Sequence, residues 1–148
     1  MTQVPLPSGA AERFARATLD HHMARLGYAA APDSRPTSGG WRCVYLHGGG
    51  TGAVSAVGPA SGGWCSLGIE IPARRAVASA RAEHLLLALA PYEVALDLDA
   101  SEGRPGRDLV VRVALRVFVE GLSVAVVRDV LDNVAEAADV ARRLLDAE

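Results

Sequence analysis

The sequence predicts an α+β fold: a single antiparallel β-sheet of about five strands backed by helices, with elements in the order α-β-β-β-α-β-β-α. Three observations carry this. Residues 109–120 alternate, with Leu or Val at every odd position and Arg112, Arg116 and Glu120 among the even ones. That period of two marks a strand with one face buried and one partly wet. Residues 92–100 alternate in the same way, and the two segments are close enough in sequence to form a hairpin. The chain then turns at Gly121 into a long stretch with apolar residues at helical spacing.

Residues 1–8 read as a flexible tail and 9–148 as a single domain. Ser8 is a candidate N-cap for a first helix in which Ala15, Leu19, His22, Met23 and Leu26 share a face. Gly27 follows as a C′ stop. Residues 29–40 hold Pro32, Pro36 and Gly39-Gly40 and read as loop. Three short strands come next, at 41–47, 51–57 and 64–71, separated by glycine-rich turns and joined most simply as a meander. Pro72 is placed to start a second helix over 73–89, which Pro91 ends. Its run Glu83 to Leu89 is apolar for several residues, so part of it is expected to be buried.

In the hairpin, Tyr92, Val94, Leu96 and Leu98 form one face, and Glu93, Asp97 and Asp99 lie on the other. Pairing joins like faces, so even residues of one strand meet odd residues of the next. The register expected on charge places Asp97 opposite Arg112 and Glu93 opposite Arg116, each cross-strand ion pair contributing roughly 0.2–1 kcal/mol. Ser123 is a candidate cap for the last helix, without a capping box because Val126 stands at N3. Val127, Val130, Leu131, Val134, Ala138, Ala141, Leu144 and Leu145 form its apolar face.

At 148 residues the chain is long enough to bury roughly 70% of its unfolded surface, so a core needs no staples. Half the residues are hydrophobic, which argues against disorder. The net charge of −2 gives no broad cationic field, and nucleic acid is not an expected partner. Every basic residue is Arg, in keeping with a GC-rich coding sequence. The absence of lysine excludes Schiff-base chemistry and a phosphate-loop lysine. Cys43 and Cys65 fall in strands with apolar neighbours and read as small buried thiols; a disulfide requires that those strands pair. No signal core and no apolar run of ~20 residues is present, so the expectation is a cytoplasmic protein that engages no membrane.

No residue set declares a chemistry. His47-Gly48-Gly49-Gly50 has the look of an esterase oxyanion segment, but a Gly-x-Ser-x-Gly nucleophile elbow is missing. Gly48 to Gly52 could cradle a phosphate only by opening a helix, and the residues after it read as strand. His21 and His22 are adjacent, about 100° apart on a helix, and no cysteine or carboxylate stands at ligand spacing to them. Glu93, Asp97 and Asp99 could work as acid and base or hold a hard cation, but cross-strand arginines account for them better. Trp41, Trp64, Tyr45 and Phe118 read as core or interface aromatics. No catalytic, cofactor-binding or metal-ligating residue is assigned.

The element order, and the text Phe118-Val119-Glu120-Gly121-Leu122-Ser123 leading into a long helix with Ala137-Ala138-Asp139-Val140-Ala141, resembles the type III secretion chaperone-like fold and its YbjN-type relatives. The resemblance implies an α+β domain, commonly a homodimer, with no cofactor and no catalytic residues. It further implies a protein client bound along sheet and helix surfaces. The expected function is therefore a small non-catalytic protein-binding module, chaperone-like or regulatory and homodimeric. Two alternatives stay open: a small-molecule binder or enzyme using a pocket between sheet and helices, and an antitoxin- or immunity-like partner protein. Val110, Ala114 and Phe118, on the wetter face of the last strand, are the candidate interface residues.

Overall fold

A computed structural model describes residues 9–31, 39–48, 53–98 and 109–146. Its elements are α1 (Ala10–Arg25), β1 (Tyr28–Ala31), β2 (Gly40–His47), β3 (Ala53–Pro59), β4 (Trp64–Ala73), α2 (Arg75–Ala88), β5 (Glu93–Leu98), β6 (Leu109–Phe118) and α3 (Val124–Asp146). The strands form one sheet in the order β1-β2-β3-β4-β6-β5. Pairings β1–β2, β2–β3 and β5–β6 are antiparallel. The α+β class and the single antiparallel sheet are as expected, with six strands instead of about five. The chain divides into two compact units, residues 1–66 with 116–128 and residues 67–115 with 129–148. The expected tail, residues 1–8, and its cap Ser8 lie outside the described residues.

The extra strand is β1, within a segment that reads as loop. Tyr28-Ala29-Ala30-Ala31 has little strand propensity of its own. Pairing imposes the conformation, with Tyr28 opposite His47 and Ala31 opposite Val44. Gly27 makes the reversal possible: its φ of 89° lets α1 close and the chain turn back at once. The Gly48 amide then donates to the Gly27 carbonyl at 3.1 Å, tying the end of β2 to that turn.

In the first unit α1 buries Ala15, Leu19 and Met23, residues four apart on one face. The odd residues Trp41, Cys43 and Tyr45 of β2 are buried as well. They stand opposite Gly58, Ala56 and Val54 of β3. The bulkiest of them, Trp41, faces the one residue without a side chain. A Cβ built on Gly58 would lie 2.6 Å from the indole Nε1 and Cε2 of Trp41. Glycine weakens a strand through entropy, and here it persists because the indole occupies that space.

The core of the second unit gathers Ile71 and Ala73 of β4, Ala78 and Leu85 of α2, Leu109, Val111 and Val113 of β6, and Ala137, Ala138, Ala141 and Leu145 of α3, together with Leu89. The alanines of α3 let that helix approach the β6 valines closely. α2 starts two residues later than expected, because β4 runs on through Pro72 to Ala73. Proline is tolerated there at the end of a strand. Ser123 caps α3 as anticipated: the Val126 amide donates to its Oγ at 3.2 Å.

The β5–β6 register differs from the expected one by two residues. Asp97 stands opposite Val110, not Arg112, and Glu93 stands opposite Ala114, not Arg116. A two-residue slip keeps every side chain on its own face, so apolar alternation cannot tell the two registers apart. The deciding terms are packing ones, such as Val94 against Val113 and Leu96 against Val111. Replacing Gly58 by Ala should lower stability by roughly 1–3 kcal/mol, the range for overpacking. Urea denaturation followed by tryptophan fluorescence checks this; an unchanged midpoint would show that the indole moves aside freely.

Candidate functional site

The three candidate interface residues of β6 part company. Phe118 is 71% exposed, whereas Val110 and Ala114 are buried. These two are not available to another chain, and the expectation of a wet face fails along Leu109 to Ala114, where both faces are buried. The reason is that β6 is an interior strand and its neighbour β4 carries Gly68. A Cβ on Gly68 would lie 2.8 Å from Ala114 Cβ and 2.9 Å from the Arg112 guanidinium carbon. Ala114 and Arg112 therefore rest on bare β4 backbone, and Arg112 is only 7% exposed. Arg116 takes a different neighbour from the expected one in the first unit: its guanidinium carbon sits 3.6 Å from the centroid of the Trp64 ring, a cation–π contact.

The groups considered for chemistry are occupied in structural ways. Cys43 and Cys65 are buried thiols that form no disulfide. The His47 ring packs edge-on to Tyr28, with centroids 4.9 Å apart. The His21 and His22 rings meet edge to face, with centroids 5.4 Å apart. Among the described residues no three His, Cys, Asp or Glu side chains gather at metal-binding distance. The Tyr45 hydroxyl donates to Asp20 Oδ1, joining β2 to α1. Burial in the first place, and then that hydrogen bond, push the Tyr45 phenol far above its ordinary value.

Two surfaces remain. In the first unit a groove of about 430 Å³ runs between the start of α1, the turn after β3 and the end of β6, lined by Ala10, Ala11, Phe14, Gly62, Val119 and Glu120 with Ser61 and Gly63. It can shelter an apolar side chain. Its only ionisable lining residue is Glu120, so it lacks an acid–base pair.

The second surface is in the other unit. Leu86 and Leu87 of α2 are 58% and 72% exposed, and Leu96 of β5 is 42% exposed. α2 contacts β5, and β5 ends the sheet. The sequence reading expects part of Glu83 to Leu89 to be buried without saying which residues those are. Helical geometry supplies the missing signal. Leu85 and Leu89, four apart, are buried. Leu86 and Leu87 are then turned by about 100° and 200° from Leu85 and cannot follow it inward.

An alkaline titration tests the Tyr45 environment. An unfolded tyrosine ionises near pH 10 while the folded one stays protonated. Stability from this group is thus complete below pH 10 and lost as pH rises beyond it. Tyr45→Phe should reduce the drop in urea midpoint between pH 8 and 11; an equal drop in both proteins would contradict the assignment.

Comparison with protein-family models finds no match, and neither does comparison with curated protein sequences. Among solved structures, the chain is similar to the crystal structure of an uncharacterized protein from Methanothermobacter thermautotrophicus. The TM-score is 0.57 at 15% identity, covering 88% of this chain and 96% of that one. At that identity the likeness is one of fold alone. No described helix is long and apolar enough to cross a membrane.

Proposed function

We propose that this protein is a small non-catalytic, cytoplasmic binding module that holds another protein chain and self-associates. The observation that carries the reading is the pair of exposed leucines on α2, Leu86 and Leu87, beside a sheet-edge strand that exposes Leu96. Burying one such side chain stabilises a complex by roughly 1.5–3 kcal/mol. Exposed apolar side chains grouped on adjoining elements mark an interaction surface better than scattered ones do. Cys43 and Cys65 are buried within strands, where a small apolar thiol packs and does not present a nucleophile, which also favours binding over catalysis.

Light scattering on a sizing column tests self-association. The chain should run as a dimer at micromolar concentration, and Leu87→Asp should shift it towards monomer without lowering its melting temperature. A strict monomer across that range would remove the self-association part.

A further inference from the structure

Resting on the self-association reading above, we infer that the exposed face of α2 docks against α2 of a second copy. The two helices run antiparallel about a two-fold axis that passes midway between Ala80 and Glu83.

The inward side of α2 is marked by Ala78, Leu85 and Leu89, which are buried. At about 100° per residue, the positions pointing most directly away from them are 76, 80, 83 and 87. All four are exposed, Leu87 by 72%. The outer seam therefore reads Ala76, Ala80, Glu83, Leu87, with spacings of four, three and four residues. Such spacing keeps a stripe facing a partner helix, whose side chains enter its gaps.

The spacing is the same read in either direction, so the seam can meet its own reverse, as a two-fold contact requires. Leu87 then stands opposite the copy's Ala76, and Glu83 opposite the copy's Ala80. Every layer sets one long side chain against one methyl group. Registers shifted by a turn lose this fit. Centred between Ala76 and Ala80, the pair leaves Leu87 uncovered; centred between Glu83 and Leu87, it sets Leu87 against the copy's carboxylate. A parallel pair places Glu83 against Glu83, and like charges at close range repel.

The helix ends select the same direction. α2 has no acidic residue in its first turn and no basic residue in its last. Arg74 and Arg75 stand at its N-terminus, against the helix dipole. In the antiparallel pair that cationic end lies beside the C-terminal carbonyls of the other copy, where positive charge is favourable, and it does so twice.

Two single variants of the full chain, Ala76→Cys and Leu87→Cys, test this by air oxidation, alone and mixed. A disulfide needs Cα atoms within about 7 Å. Residues 76 and 87 face each other across the axis, whereas either residue lies about 16 Å along the helices from its own counterpart. The mixture should therefore form a covalent dimer at least about tenfold faster than either variant alone. Cys43 and Cys65 are buried and should remain unreacted. Ala76→Glu gives the first turn of α2 the acid it lacks, which favours folding. It also sets a charge against Leu87 of the other copy, so the dissociation constant of the dimer should rise about tenfold. Equal crosslinking in the single variants and the mixture overturns the inference, as does a dimer that Ala76→Glu leaves unchanged. A dimer of the unmodified chain without the mixed crosslink removes this geometry and leaves self-association standing; a strict monomer removes both.

Discussion

Gly58 and Gly68 interrupt two strands where the pattern would otherwise ask for a side chain, and large neighbours fill the space they leave. Trp41 lies over Gly58, and Arg112 with Ala114 lies over Gly68. Each glycine sacrifices strand propensity of a few tenths to about one kcal/mol. Each gains the burial of a neighbour that would otherwise stand out of the sheet. An indole can bury more than 150 Å², and a buried guanidinium needs hydrogen-bonding partners close by. The consequences differ in the two units. Under Trp41 the glycine completes an apolar layer with α1. Under Arg112 it draws a charge down against the sheet and closes a face that polar alternation marks as wet.

That explains which parts of the fold were legible in the sequence. Alternation from Leu109 onward gave the strand and its faces, since period two survives any packing detail. The spacing of Val127, Leu131, Val134 and Ala138 gave α3, and Ser123 its start. The register of β5 on β6 was not legible. Parity was fixed by the apolar face, but two registers of the same parity differ only in exposed ion pairs and in side-chain fit. The ion pairs that favour one of them are weak, and the observed register gives them up for side-chain fit. β1 was hidden for a related reason: Tyr28-Ala29-Ala30-Ala31 becomes a strand through its partner, not through its own preference.

The candidate surface was less legible than the fold. Val110 and Ala114 share the face that alternation marks as wetter, and once the arginines there are given cross-strand partners these two are left as interface candidates. Ala114 rests against Gly68, forty-six residues away in sequence, and no local pattern reports that contact. Leu86 and Leu87 lie in a run whose apolar character says only that part of it is buried, and composition alone leaves the choice of residues open. Helix geometry makes that choice once Leu85 and Leu89 are placed inward. Phe118 remained exposed as read, at the end of β6, where the chain turns through Gly121 into α3.

Charge on an edge strand keeps sheets of separate molecules from joining. β5 fits that purpose only in part. A purely protective edge would also be short or proline-bearing, or would hide its apolar residues. β5 is six residues long, has no proline and exposes Leu96. The other sheet edge, β1, is a four-residue strand with no charge at all. A strand that short offers an added strand few backbone groups and needs no charge to stay unpaired. β5 is the longer edge, and it exposes Leu96 next to an α2 that exposes Leu86 and Leu87, so apolar surface on this side of the sheet is continuous in kind from strand to helix.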